Sequence, residues 1–327
     1  MNRRLRVATK SWPLKEAFVI SRATQTTADV IVVELEHDAH VGRGEAVGVD
    51  YHGETPATMC RQVESVRQDI EGGIGRQELL SRLPPGGARN AIDAAMWDLE
   101  AKVTGMPVWH RAAVAPAKPV ATTVTIGIRP IDAYESSARG LADHPWLKIK
   151  VSGERPIEAI AAVRRGAPHA RLVVDANQAW DIALMDSLAR DLVALHVDLL
   201  EQPVHADDDA GLAGLRYPIP VCADEAADTL DDLPRLVGRY DFVNIKLDKT
   251  GGLTAALDFA HAARAAGLRL MVGCMVGGSI AMAPAMVLAQ LCEVADLDGP
   301  LLQAEDWPDG IKYTRGIMSV PPASFWG

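Results

Sequence analysis

Two lysines, Lys148 and Lys150, flank a single isoleucine in the run WLKIKVSGE, residues 146–154. In a strand, residues i and i+2 share one face, so two ammonium groups stand side by side against their own repulsion. Such a pair calls for negative charge opposite. Downstream, each short apolar run ends in an ionisable group: Asp175 in RLVVDAN, Glu201 in HVDLLEQP, Asp224 in IPVCADEA, Lys246 in DFVNIKLD, and Asp296 with Asp298 in EVADLDGP. From Lys150 to Lys246 these positions recur every 22–26 residues, and the interval to Asp296 is a double one. One strand-plus-helix unit has about that length, so the same point of successive strands carries the charge. In a parallel barrel those C-terminal strand ends converge on one mouth. A lone acid at a strand end usually caps a helix or meets solvent. Six charges in register define a site, because converging charges in a partly dry cavity must compensate one another.

The signs of the charges suggest the chemistry. Asp175, Glu201 and Asp224 on consecutive strands form a hard oxygen donor set suited to Mg²⁺, with Mn²⁺ able to take the same ligands. An ammonium beside another ammonium and a dication loses some preference for charge, so its pKa is expected to fall from about 10.4. Lys150 is then a candidate general base, with Lys148 as the neighbour that tunes it. Lys246, four strands further on, reaches the mouth from the opposite side. Two bases astride a metal-bound carboxylate suit removal of an α-proton from one face and return to the other, through an enediolate. Asp296 and Asp298 share a strand face and present two carboxylates to a cationic group.

The elements that position these residues follow from the pattern. Eight apolar runs from VATTVTI to EVADLDGP alternate with amphipathic stretches such as PIEAIAAVRRG and LTAALDFAHAARAAG. That bookkeeping predicts an α/β fold, a (β/α)7β TIM-like barrel, over residues 116–305. Residues 1–115 read as an α+β capping domain: a β-branched strand in ADVIVVELEHD (28–38), a turn-rich piece HVGRGEAVGVDYHGETP, and a helix in PPGGARNAIDAAMWDLEAKVTG. The tail, 306–327, is expected to pack back on that domain. The 327 residues are 48% hydrophobic, with net charge −10, which argues against a nucleic-acid partner. Four scattered cysteines form no CxxC pair, and the basic start lacks an apolar run behind it. Residues 271–292 carry no charge over a membrane-span length, yet hold three glycines and a proline. They read as buried strand, loop and helix, so a cytoplasmic protein without a membrane partner is expected.

K-x-K at 148–150, DAN at 175–177, EQP at 201–203, ADE at 223–225 and NIKLDKTGGLT at 244–254 together resemble the enolase superfamily, in its muconate-lactonizing-type subgroup. GCM at 273–275 and ADLDGP at 295–300 are similar to its dipeptide epimerases. The resemblance implies a capped (β/α)7β barrel, Mg²⁺ on Asp175, Glu201 and Asp224, and Lys150 with Lys246 as acid/base pair. It implies an alanine–glutamate dipeptide of murein recycling as substrate. Asp296 and Asp298 would hold its free ammonium, Arg22 the second residue's side-chain carboxylate, and Cys274 and Met275 would border it. N-acylated amino acids would be rejected, since two desolvated carboxylates would lack their cation. Asn177 and Asp248 would support Asp175 and Lys246 from behind. Tyr51 and His52 stand where Glu-preferring members carry Arg-Tyr, and Gly277 and Gly278 where bulkier residues occur. N-acylamino-acid racemase, o-succinylbenzoate synthase and cycloisomerase reactions, or a non-catalytic metal-dependent binder, are the alternatives. Only the first three need both lysines, and none needs the paired acids. A homo-oligomer is left open.

Overall fold

The computed structural model describes residues 3–20 and 23–327, so Arg22 lies outside the described residues. The chain opens with an antiparallel sheet of β1 (Arg4–Ile20), β2 (Ala23–His37) and β3 (His40–Ala46), in the order β1-β2-β3. Its inner face, with Leu5, Ile31, Val33 and Leu35, packs on helices 56–65 and 87–104. The strand β3 differs from the turn expected at 40–46. Its glycines exist for close approach rather than turning: a Cβ on Gly42 or Gly44 would lie 2.1 or 2.0 Å from the carbonyl oxygens of Ala95 and Ala91. Helix 87–104 therefore rests directly on the strand.

After the short β4 (Val120–Ala121) come eight parallel strands in sequential order: β5 (Val124–Ile126), β6 (Trp146–Lys150), β7 (Arg171–Asp175), β8 (Val197–Glu201), β9 (Val221–Ala223), β10 (Phe242–Lys246), β11 (Arg269–Gly273) and β12 (Val294–Asp296). Thr123 N donates to Ala295 O at 2.8 Å, bringing the segment before β5 against β12 and closing the ring. Helices 131–139, 156–166, 182–194, 253–265 and 279–289 cover the outside. The connection after β8 carries a 3-10 turn (206–212), and that after β9 a 3-10 turn (230–232) running into a short helix (233–236). All eleven residues of helix 279–289 are buried, which accounts for the uncharged stretch. Among the described residues no helix is long and apolar enough to cross a membrane.

Period-two alternation then layers the interior. Trp146, Val173, Leu199, Cys222, Phe242, Met271 and Val294 form one apolar cluster that floors the barrel. Two residues further along the same strands stand Lys148, Asp175, Glu201, Asp224, Asn244, Gly273 and Asp296. Register pairs Asp175 with Glu201, but Lys148 with Val173 and Glu201 with Cys222, so the polar layer steps by two residues at β6–β7 and at β8–β9, the stagger of strands that tilt around a closed barrel.

The capping domain is tied to the barrel by buried carboxylates that accept N–H groups. Asp93 accepts from Thr254 N at 3.0 Å, and Arg89 donates to Gly251 O and Thr250 O. The TGGLT motif after Lys246 is thus a seat for helix 87–104. A Cβ on Gly252 would meet Asp93 at 2.6 Å. Glu45, at the end of β3, accepts from Trp12 Nε1 (3.1 Å), from Gly278 N in the loop after β11 (2.7 Å) and from Trp307 Nε1 in the tail. The tail also docks through Trp326 Nε1 on Arg43 O (2.9 Å) and Gly327 N on Asp98 Oδ1 (2.7 Å). Replacing Glu45 by Gln would turn an amide donor toward one of those three donors. A loss of about 2–3 kcal/mol is expected, read as a lower midpoint in urea unfolding; an unchanged midpoint would show that the staple carries no stability.

Candidate active site and metal centre

Lys148, fully buried, does not simply face Lys150. Its Nζ lies 3.0 Å from Asp175 Oδ2, 2.8 Å from Glu201 Oε2 and 2.7 Å from Asp296 Oδ2. Lys150 Nζ meets the same Asp175 oxygen at 2.6 Å, so a carboxylate separates the two ammonium groups. On the far side Lys246 Nζ sits 2.7 Å from Asp224 Oδ2. Room for it comes from Gly273, where a Cβ would stand 3.0 Å from the Lys246 side chain.

Burial alone would lower Lys148 and Lys246. The carboxylates outweigh it and hold both above the usual lysine range, Asp175, Asp296 and Glu201 acting on Lys148 and Asp224 acting on Lys246. Among the acids, Asp175 falls to about 2, because Lys148 and Lys150 outweigh its burial. Glu201 goes the other way, to about 8, through burial and then the charges of Asp175, Asp224 and Asp296.

One oxygen from each of Asp175, Glu201 and Asp224 falls within a sphere where all lie within 4.8 Å of one another. Glu201 Oε2 has Lys148 close by but no donor aimed at it. A buried, all-oxygen cluster whose central acid is pushed toward protonation by its neighbours fits a hard divalent cation. The same cation would draw on the carboxylate charge that now holds the lysines up.

The remaining expected residues divide. Asn177 supports Asp175, its backbone N donating to Oδ1 at 2.9 Å while its side chain reaches Glu225 Oε1. Asp248 does not face Lys246. It accepts from Val47 N and Gly48 N, both at 3.0 Å, and so latches the capping loop that leads to Tyr51. Lys150, Lys246, Asn177, Cys274 and Met275 line one cavity of about 440 Å³, which Ile20 and Thr24 border from the cap. That volume lies in the range of small-ligand sites. Asp296 is filled by Lys148 and by Thr123 Oγ1 at 2.5 Å, while Asp298 accepts from Thr125 N at 2.7 Å.

Two residues were not singled out from the sequence although they lie inside its motifs. Gln202 of EQP is fully buried at φ 34 and accepts from Asp224 N (2.8 Å) and Ala226 N (3.0 Å), holding the turn that presents Asp224. Lys249 of NIKLDKTGGLT is a fourth buried lysine, donating to Asp224 Oδ1 at 2.8 Å and to its carbonyl. Both oxygens of Asp224 are thus held by lysines, Oδ1 by Lys249 and Oδ2 by Lys246. Lys249→Met should cost about 3–5 kcal/mol, the penalty for breaking a buried pair, seen as a lower denaturant midpoint. A loss under about 1 kcal/mol would mean that the contact is not needed to hold Asp224.

A barrel with acids on three successive strands, lysines on opposite strands and a cap over the mouth defines a class, and the chain belongs to it: this is a member of the enolase superfamily. Residues 2–110 match the mandelate racemase / muconate lactonizing enzyme N-terminal domain, and residues 133–324 match the enolase C-terminal domain-like family. Among particular relatives, the L-Ala-D/L-Glu epimerase of Escherichia coli (strain K12) is 40% identical over 97% of this chain and 100% of its own. The N-acetyl-D-glutamate racemase of a Pseudoalteromonas species is 39% identical over 91% and 95%. An enolase family member from Agrobacterium tumefaciens with homology to dipeptide epimerases, solved with sodium and L-Ala-L-Glu, superposes with a TM-score of 0.97 at 39% identity, covering 99% of this chain and 100% of that one. A dipeptide epimerase from Enterococcus faecalis complexed with Mg and L-Leu-L-Tyr superposes with a TM-score of 0.91 at 28% identity, over 98% and 97%.

Proposed function

We propose that this chain is a Mg²⁺-dependent dipeptide epimerase that inverts the α-carbon of the second residue of L-Ala-L-Glu and its L,D diastereomer. The observation that carries the reading is the placement of Lys150 on β6 and Lys246 on β10, four strands apart on an eight-stranded ring, with the acid triad between them. Asp175, Glu201 and Asp224 would hold the metal, which supplies Lewis acidity at the substrate carboxylate. One lysine takes the α-proton from its face and the other, as ammonium, returns one to the opposite face. Lys148 holds Asp175, Glu201 and Asp296 in one charge-balanced layer. Asp298 receives the ammonium of the first residue, and Cys274 and Met275 flank the dipeptide. The preference for glutamate is supported by the names of the Escherichia coli and Agrobacterium relatives, and Arg22 is the guanidinium assigned to it.

Two measurements test this. Adding Mg²⁺ to chelator-treated protein should raise its melting temperature. A hundredfold excess over Kd is worth about 2.7 kcal/mol, and the gain should vanish in Asp224→Asn; an equal gain in that variant would move the metal elsewhere. In D₂O, proton NMR of L-Ala-L-Glu should show the glutamyl α-proton disappearing as the L,D form grows. Lys150→Ala and Lys246→Ala should each cut epimerisation about 10²–10⁴-fold, each sparing washout from only one diastereomer. Washout from both diastereomers in either variant would sink the two-base assignment.

A further inference from the structure

The cavity over the lysines is longer than a dipeptide. Lys150 and Lys246 line its inner end, and from there six consecutive residues of β2, Thr24 to Asp29, border one side while Asp50, Thr55 and Pro56 border the other. Six residues of extended strand run about 17 Å, whereas the backbone of two residues spans at most about 7 Å. Past Asp29, Thr55 and Pro56, which line both, the space continues into a second cavity of about 430 Å³ beside Thr9 and Ser11 of β1. A polar arm thus leads from the reacting centre to the surface of the cap. Its wall is held in place: Gly48 N donates to Asp248 Oδ1 at 3.0 Å, Val49 N to Glu54 Oε2 at 2.8 Å, and Thr58 N to the Thr55 hydroxyl that caps helix 56–65. Asp29 and Asp50 are exposed along it. Lys10, which borders the outer cavity, carries its ammonium over the Trp12 and Trp307 rings, 4.0 and 4.7 Å from their centres.

We propose that this arm is a subsite for a third residue, so that the chain also epimerises peptides in which the side-chain carboxyl of the second residue is joined by an amide bond to a further, amine-bearing amino acid. The inference rests on the two-lysine epimerase reading above and extends its substrate. That reading leaves one place for an added residue. The α-carboxylate must stay free, because it takes up the electron pair of the broken C–H bond. The ammonium of the first residue is committed to the buried Asp298, and the two faces of the α-carbon belong to Lys150 and Lys246. What remains is the end of the second side chain, and the arm is the space left for it to point into. The step itself is unchanged: the α-proton passes to one lysine, the other lysine's ammonium delivers one to the opposite face, and no further reactant is consumed. The new amide is neutral, and Gln25, Thr27 and Thr55 offer it donors and acceptors. An amine on the added residue meets Asp29 and Asp50 in solvent-exposed pairs, each of modest worth.

Proton NMR in D₂O with Mg²⁺ would follow the second-residue α-proton of L-Ala-L-Glu, L-Ala-L-Gln, L-Ala-γ-L-Glu-L-Lys and the α-linked isomer L-Ala-L-Glu-L-Lys. L-Ala-L-Gln has the same side-chain amide with nothing beyond it, so the ratio of kcat/KM for the γ-linked tripeptide over L-Ala-L-Gln isolates the arm. We expect that ratio to be about tenfold or more, carried by KM. Replacing the added lysine by glutamate should lower it about two- to fivefold; no loss would overturn the role of the two acids. The α-linked isomer should keep its α-proton, since its α-carboxyl is an amide. Thr27→Trp, an aromatic at an exposed strand position that suits one, should fill the arm and lower the ratio about fivefold or more. A ratio that this variant leaves unchanged overturns the placement in the arm. A γ-linked tripeptide that exchanges no faster than L-Ala-L-Gln, beside L-Ala-L-Glu that exchanges, overturns the inference without needing any variant to fold. The arm is then only a passage, and the epimerase reading stands. Silence from all four peptides removes the epimerase reading and this inference with it.

Discussion

The ammonium of Lys148 holds the site together. It is buried at the centre of the barrel and ion-paired to acids from β7, β8 and β12. Bringing one lysine and three carboxylates out of water is expensive, and the cost is offset only where each charge has an opposite neighbour at contact distance. Remove that ammonium and Asp175, Glu201 and Asp296 would repel across a dry floor of Trp146, Phe242 and Met271. Its position also links two parts of the site that serve different ends, since Asp296 belongs to the end proposed for the ammonium while Asp175 and Glu201 belong to the triad.

The cap depends on the same economy of buried charge, used differently. Glu45, Asp93 and Asp248 are buried acids, and their hydrogen-bond partners are neutral donors, namely backbone and indole N–H groups, the Thr254 hydroxyl and the Asn90 amide, rather than cations. Burial pushes Glu45 up to about 7, and Asp93 and Asp248 to about 6. Each accepts donors from a different segment, so a few carboxylates fix the cap, the tail and the loop after β11 relative to Lys246. Loops that border the cavity are thereby held by rigid neighbours on both sides, which is what precise placement of a substrate requires.

The spacing of charges made the barrel and the polar layer legible before any coordinates, because strand ends recur at a fixed interval and side chains alternate with period two. Spacing says which layer a residue occupies and not which neighbour it meets. Lys148 and Asp296 are 148 positions apart and touch at 2.7 Å, a contact that no local pattern contains. That is why Lys148 was read as the tuner of Lys150 rather than as a bridge, and why Asp248 was turned toward Lys246 rather than the cap. The glycines of β3 misled for a related reason: Gly42 and Gly44 look like turn residues until helix 87–104 is laid on them. Lys249 and Gln202 sat inside recognised motifs, but their work lies in a partner one strand away.

The layering also separates what the chain does from what it acts on. The lysines and the triad stand on strand ends, in a layer whose charges are balanced among themselves and whose floor is a buried apolar cluster. Around them, the loop held by Asp248, the segment 274–278 and Asp298 can differ without disturbing that balance. A change there alters which neutral or charged group sits beside the reacting carbon, while the two faces from which a proton leaves and returns stay where β6 and β10 put them. Relatives of nearly equal identity that bear the names of an L-Ala-D/L-Glu epimerase and an N-acetyl-D-glutamate racemase are what such a division would produce.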